Sequence, residues 1–571
     1  KKSWMAQVPE KTKMILEIKK FLDKNNLDGY IIPKNDKYFT EYSEINNLYK
    51  VTNFTGSAGF ALILKKKNYL YVDGRYTLQA KNQSGKKFVI CEIPQNFPEN
   101  LSEIKNKVIG FNPKLFTEST LYRYFKKKTT LRPIEYKFHD NIKKNTEKFF
   151  TLKTNVTGEH ADSKINRVII YLKKNKIDYL YVGASENVCW LLNLRGKDLP
   201  NSPLANCKLV LTKKKKIFLF TDLKKISSLK KMFKKKVSFH NENSIFQVIN
   251  KFKNGNFCID KNTCSIFDQG LISGKFKIKS KSDPIYHLKS IKNQTEIKNT
   301  INSHILDGVA VTKFLYWFKN NKKKLTEIFI EKKLEKFRKK SKSYLYPSFE
   351  TIAGSGPNGS IIHYRSNRET NREIKKNDIL LLDSGGQYKW GTTDITRTMC
   401  NGYVSKEIKN NFTRVLKGHI AVFNCNINKN YCGHFIDKLA RKYLKIAGLN
   451  YSHGTGHGVG FFLNVHEGPQ GISKNNRVVL QKGMILSNEP GYYSENKYGI
   501  RIENLIYIDQ SKNNLFFKNL TFAPIDIDMI NFKMLTTNEK NYLFQYHLDI
   551  YSKLSKFLNN SEKKWLVNLI K

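Results

Sequence analysis

Apolar positions along the first half of the chain follow one pattern twice. Residues 11–26 carry Met14, Ile15, Ile18, Phe21 and Leu22 at helical spacing, and Leu27–Ile32 then reads as a strand. Two further apolar runs, Ala61–Leu64 and Tyr69–Val72, flank a lysine turn and end at Asp73, the signature of a strand pair. The succession returns with a helix over 165–176, a strand at Ile177–Val182, the run Leu209–Leu211, the turn Lys213–Lys216 and the run Ile217–Phe220 before Asp222. Self-similarity at a spacing of roughly 150 residues predicts duplicated α/β domains, not a short-period solenoid.

The pattern changes after Asn293. A long helix is predicted over 294–319, with Ile297, Ile301, Ile305, Val309, Val311 and Phe314 among its apolar positions, and a second over 325–340. Ser348–Ile352 reads as a strand, Gly354–Gly359 as a turn that delivers His363, and Ile379–Asp383 with Thr392–Met399 as a strand and its return. The resulting boundaries are 1–147 and 148–288 for the repeated domains and 289–571 for a third, catalytic domain with a C-terminal extension. The fold class is α/β, with α+β character in the last part.

Composition alters this picture little. A chain of 571 residues exceeds one hydrophobic core, and 40% hydrophobic residues suffice for several. The formal charge of +53 points first to nucleic acid, but the excess is mostly lysine spread through the chain, as in Lys126–Lys128, Lys213–Lys216 and Lys322–Lys324. A nucleic-acid surface would gather arginine and aromatic residues on one face, so nucleic acid is not expected as the main partner. The eight cysteines form no Cys-x-x-Cys pair, which argues against a zinc framework or a disulfide scaffold and fits a reducing compartment. No apolar run has transmembrane length, so a membrane partner is not expected. Cytoplasmic placement is the expectation, with a targeting segment upstream of Lys1 left open.

The chemistry concentrates in the second half. Tyr451–Pro469 sets His453, His457 and His466 among glycines, where imidazoles can act as ligands or proton carriers. Asp383 ends a wholly apolar strand and Asp394 lies on its return. A hairpin that brings the two together sets like charges in contact, a conflict that a metal ion removes. Glu489, in SNEPG, and Glu503, in GIRIEN, add two carboxylates, and alternation along Ile500–Glu503 puts Arg501 on the same strand face as Glu503, where it can orient the acids. Four carboxylates and one imidazole make a hard site suited to two divalent ions, manganese first, with cobalt or zinc as alternatives. In the first half, Arg75 of DGRY can either grip a carbonyl or carboxylate or form an ion pair. Trp190 and Arg195 of CWLLNLRG read as a buried helix end with its capping arginine.

Asp383 and Asp394, eleven residues apart, followed by His457, Glu489 and Glu503, resemble the five ligands of the pita-bread metallopeptidases, family M24B. The similarity is closest to the three-domain cytosolic aminopeptidase P group, through SGPNGSIIHY, DSGGQYKWGTTDITRT, HGTGHGVGFFLNVHEGP, EPGYY and GIRIEN, and it reaches DGRY and WLLNLRG. The resemblance implies two creatinase-like α/β domains before a pita-bread catalytic domain. It implies that Asp394 and Glu503 bridge two metals, that Asp383 completes one site and that His457 with Glu489 completes the other. His363 and His466 would contact the substrate and stabilise the tetrahedral centre, His453 would line the pocket, Glu489 would accept a proton, and Arg75 would touch the substrate. The implied reaction is hydrolysis of the bond between an N-terminal residue and a penultimate proline by a metal-bridging hydroxide, in a homodimer. Proline has no N–H and a fixed ring, so a pocket shaped for it can select such peptides.

Overall fold

The repeat in the apolar pattern becomes two sheets of one topology. The computed structural model describes residues 10–126, 129–138, 145–233 and 236–570, so Lys127 and Lys128 of the first lysine run lie outside the described residues. The chain divides into two compact units, one of Lys1–Leu152, Glu159–Pro200 and Leu204–Ile285, the other of Lys153–Gly158, Asn201–Pro203 and Tyr286–Lys571.

In the first unit, helix α1 (Glu10–Lys24) precedes the strands β1 (Gly29–Pro33), β2 (Phe60–Leu64), β3 (Asn68–Asp73), β4 (Val89–Ile93), β5 (Val108–Phe111) and β6 (Thr130–Pro133), ordered β4-β3-β2-β1-β5-β6. Helix α2 (Ala161–Lys174) precedes β7 (Tyr179–Val182), β8 (Cys207–Thr212), β9 (Ile217–Thr221), β10 (Val237–Asn241), β11 (Asn256–Ile259) and β12 (Lys277–Ser280), ordered β10-β9-β8-β7-β11-β12. Corresponding pairs also run in the same sense: β1–β2 and β7–β8 are antiparallel, β1–β5 and β7–β11 parallel. The helices bury the faces that their spacing marks, with Ile15, Ile18 and Leu22 of α1 and Ile165, Val168 and Leu172 of α2 all buried. Arg195 is buried as expected and donates to the Cys189 carbonyl, in the last turn of the helix Ser185–Leu191.

The second unit opens with α3 (Gln294–Asn320), started by a capping box between Asn293 and Glu296. Its residues Val311, Phe314, Leu315 and Phe318 pack with Ile330 and Leu334 of α4 (Glu327–Arg338) over Leu380, Leu382 and Met399. Those last residues belong to a three-stranded antiparallel sheet of β13 (Ile352–Ser355), β14 (Ile379–Ser384) and β15 (Ile395–Cys400), with β14 in the centre. The expected strand over Ser348–Ile352 forms only at its last residue, Ile352, where β13 begins. Strands Tyr344–Pro347 and Ile352–Ser355 flank the rest, and Ser348 instead donates its hydroxyl to the Thr393 carbonyl.

Helices α5 (Lys406–Phe423) and α6 (Gly433–Ile446) follow. The second sheet holds β16 (Gly456–Gly458), β17 (Glu467–Ile472), β18 (Ile485–Asn488), β21 (Asn504–Ser511) and β22 (Asn514–Asn519), ordered β17-β16-β18-β21-β22, with the hairpin β19 (Gly491–Ser494) and β20 (Tyr498–Arg501) inserted before β21. Helices α7 (Thr537–Leu554) and α8 (Asn560–Asn568) close the chain against the core that α5 shares. The approach of α5 to α6 depends on Gly418, where a Cβ would lie 2.2 Å from the Ala440 carbonyl oxygen.

Gly418→Ala is therefore expected to destabilise the second unit by about 1–3 kcal/mol through overpacking. Denaturant unfolding followed by tryptophan fluorescence measures it, and an unchanged midpoint would show that the two helices separate without cost.

Candidate metal centre

The β13–β14–β15 sheet and the five-stranded sheet of the second unit meet along β15 and the β20–β21 junction. The Glu503 N–H donates to the Thr396 carbonyl at 3.1 Å, and Thr398 and Arg501 exchange hydrogen bonds of 2.9 and 3.0 Å. At this seam the sequence places its acids. Asp383 is the penultimate residue of β14 and Asp394 immediately precedes β15. The register sets Asp383 opposite Thr396 and Ser384 opposite Ile395, so Asp394 lies two positions along from the partner of Asp383, a diagonal neighbour on the same hairpin. The return strand is interrupted, however: Gly386–Tyr388 and Gly391–Thr392 form a smaller hairpin of their own before β15 begins.

From the second sheet come His457 in the middle of β16, Glu489 just past β18 and Glu503 between β20 and β21. Arg501 and Glu503 thus do not share one continuous strand, because β20 stops at Arg501. The arginine still reaches the acids, with Nη2 2.7 Å from Asp383 Oδ2.

Ligand atoms of Asp394, His457 and Glu503 all lie within 4.8 Å of one another. His457 Nε2 is 3.4 Å from Asp394 Oδ2 and 3.5 Å from Glu489 Oε1. Its Nδ1–H donates to the Gly458 carbonyl at 2.9 Å, which turns Nε2 towards the carboxylates. Thr396 donates to Glu503 Oε2 at 2.8 Å, and Ser487 to Glu489 Oε1 at 3.1 Å while accepting the His457 N–H. Asp383 Oδ1 is buried and has no hydrogen-bond partner among the described residues. An orphaned carboxylate oxygen beside crowded carboxylates is what a cation site looks like without its cation.

The electrostatics agree. Burial, the His457 hydrogen bond and the nearby Asp383 charge compete at Asp394, and burial with like charge prevails, lifting its carboxyl to about 6. Glu503 is pushed well above the usual range by burial, Asp394 and Glu489. Burial would lower His457, yet Asp394 and Glu489 overcome it and raise the imidazole to about 9. Each shift marks negative charge in excess of the protein's own cations.

The other histidines divide. The His466 ring stands edge-on to His457 with centroids 4.3 Å apart. Its chain neighbour Glu467 is gripped by two lysines only 1% exposed, Lys292 on Oε1 and Lys289 at 2.9 Å on Oε2. His453 is buried, donates from Nδ1 to the Gly454 carbonyl at 2.7 Å and accepts at Nε2 from the Tyr493 hydroxyl at 2.9 Å, which in turn accepts from Arg501 Nη1 at 2.7 Å. His363 follows Ile362, whose carbonyl faces Arg501 Nη1 at 3.5 Å. Its loop is pinned on both sides by fully buried Glu327, which accepts from Ser355 N–H at 2.8 Å and the Tyr364 hydroxyl at 2.8 Å. Arg75 lies in the first unit, just after β3, bidentate on Asp73 at 2.9 and 2.8 Å.

Sequence reasoning passed over Thr396, Ser487, Tyr493 and Glu327. Thr396 and Ser487 stand two residues from an acid on alternating strands, a signal that could have been used; Glu327 looks like any first-turn helix acid. The glycines of the histidine stretch also act differently from a peptide-binding lining. A Cβ on Gly456 would lie 1.9 Å from the Ser487 carbonyl oxygen, and one on Gly458 2.2 Å from that of Glu467, so they let β16 press between its own neighbours.

Two antiparallel sheets under paired helices, with an acid-rich seam between them, are the pita-bread fold of metallopeptidases. The chain matches Metallopeptidase family M24 over residues 299–510, the C-terminal region of peptidase M24 over 513–571, and the Creatinase/Prolidase N-terminal domain over both 14–139 and 140–296. It is 34% identical to Xaa-Pro aminopeptidase 1 of Dictyostelium discoideum, over 98% of this chain and 96% of that one, and 32% identical to a probable Xaa-Pro aminopeptidase P of Laccaria bicolor, over 97% and 92%. The X-prolyl aminopeptidase of Caenorhabditis elegans, described as a cytosolic enzyme with a di-nuclear active site, superposes with a TM-score of 0.91 at 28% identity, over 98% of this chain and 99% of that one. The chain belongs to metallopeptidase family M24, among the Xaa-Pro aminopeptidases. Among the described residues no helix is long and apolar enough to cross a membrane.

The shifts carry a sign. Asp394 and Glu503, raised on folding, contribute stability in acid that is lost as pH climbs through about 6 for Asp394. His457, raised from 6.5 to about 9, contributes fully below 6.5 and loses that contribution towards 9. All three run the same way, so the melting temperature of the chelated chain should fall between about pH 5.5 and about pH 8.5, and less steeply for Asp394→Asn. A chelated wild type that grows more stable over that range would contradict the assignment.

Proposed function

We propose that the chain is a metal-dependent Xaa-Pro aminopeptidase, releasing the N-terminal residue from peptides whose second residue is proline. The observation that carries this reading is the convergence of the Asp394, His457 and Glu503 ligand atoms beside the orphaned Asp383 oxygen. In this reading Asp394 and Glu503 would hold both of two divalent ions, Asp383 would complete the holding of one, and His457 with Glu489 that of the other. The donor set is four carboxylates and one imidazole, which favours manganese. When bound, such a pair would supply a water ionised near neutral pH and would polarise the scissile carbonyl.

The chain's own groups do the rest. Glu489, which accepts from Ser487, would take the proton of the attacking water in this reading. His466 and His363 donate to the oxygen that gains charge as the carbonyl becomes tetrahedral, and one of them returns a proton to the proline nitrogen. Arg501 holds Asp383 in place through an ion pair of 2.7 Å, while His453, through Tyr493, braces that arginine. Arg75 keeps the substrate-contacting role that DGRY implies. A homodimer, as the resemblance implies, is the assembly in this reading.

Three measurements test it. Asp394→Ala and Glu503→Ala should lose both bound metal, read by elemental analysis, and cleavage of an Arg-Pro-Pro-type peptide. His466→Ala should keep its metal and lose roughly a hundredfold or more in kcat. Chelation should abolish cleavage and manganese restore it. Undiminished turnover by a chelated, dialysed Asp394→Ala would defeat the two-metal reading, and preference for an X-Pro dipeptide over the tripeptide would move the chain to dipeptidase specificity.

A further inference from the structure

Arg397 stands three residues past Asp394 on β15 and is 3% exposed. Its guanidinium donates from Nε to the Pro524 carbonyl at 2.9 Å, from Nη1 to the carbonyls of Thr396 and Glu503 at 2.9 and 2.7 Å, and from Nη2 to Asn504 Oδ1, the Ala523 carbonyl and the Tyr546 hydroxyl at 2.9, 2.7 and 2.8 Å. None of these six partners is a carboxylate. Carbonyls satisfy the donors but leave the charge uncancelled, and a buried cation without a counter-ion is costly unless negative charge stands close by. One of the carbonyls it grips is the main chain of Glu503, an acid of the seam.

The two sides of the guanidinium belong to different parts of the unit. On one side lie Thr396 and Glu503, whose side chains are joined by the hydrogen bond at Glu503 Oε2. On the other lie Ala523, Pro524 and Tyr546, all within the region 513–571. That side is itself fastened from α7: Tyr546 donates to the Ala523 carbonyl at 2.8 Å, and the Ile525 N–H donates to His547 Nε2 at 3.2 Å.

We propose that Arg397 is a positioning residue through which the C-terminal region holds Glu503 in bridging register, so that segment 523–525 and α7 form part of the metal-holding apparatus. The inference rests on the two-metal reading above. A planar fork spans Glu503 and Ala523 at once, whereas a lysine ammonium keeps the charge but not the span.

The test compares full-length wild type, Arg397→Lys and Tyr546→Phe, the last removing one hydroxyl from α7. Manganese titration by calorimetry gives metal affinity without reference to activity, and kcat and KM for an X-Pro tripeptide are taken at saturating manganese. Arg397→Lys should weaken manganese binding about 10–100-fold and lower kcat with KM within about twofold. Tyr546→Phe should act in the same direction by about threefold. If both variants melt earlier than wild type yet bind manganese and turn over as wild type does, Arg397 is only structural and the inference is overturned. A wild type that binds manganese but cleaves no X-Pro peptide contradicts the functional reading alone, because the affinities still decide this one.

Discussion

The second unit is organised around negative charge that it cannot neutralise by itself. Asp383, Asp394 and Glu503 are each buried, and Glu489 stands within reach of the same imidazole. Arg501 answers Asp383, and Arg397 sits behind Glu503 bonded only to neutral groups. This arrangement costs folding free energy as long as no cation is bound, and metal binding repays it, which couples affinity to fold. The surrounding devices make sense in that light: Thr396, Ser487 and the Gly458 carbonyl fix which oxygen or nitrogen faces the cluster.

A neutralised site needs scaffolding that does not yield, and both sheets are built for close approach. Glycines in β16 let it lie against Ser487 and Glu467, and Gly418 lets α5 lie against α6. The histidine wall is braced from behind by a carboxylate between two buried lysines, and the loop before His363 by buried Glu327. These are charges spent on geometry, since each would be more stable in water than in the core.

Much of this was legible in the residues because the signals are local. The repeat shows as two lysine turns between matching strand pairs, and the structure returns two sheets with the same strand order. Asp383 and Asp394 announce themselves because a strand as apolar as Ile379–Leu382 has no cheap way to end in an acid. What stayed hidden is non-local. The break that separates Arg501 from Glu503, the extra hairpin at Gly386–Thr392 and the missing strand over Ser348–Thr351 depend on how one sheet meets the other, and periodicity carries no record of that. Arg397 alternates with Ile395 and Met399 on one strand face, and only its carbonyl partners, more than a hundred residues away, show how a cation is held there.

The central claim is that the acid seam is a two-ion site bridged by Asp394 and Glu503. Anomalous diffraction from crystals grown with manganese tests it most directly. The account predicts two peaks, each in contact with both bridging carboxylates, one reaching Asp383 and the other His457 and Glu489. A single peak, or manganese bound away from Asp394 and Glu503, would contradict it.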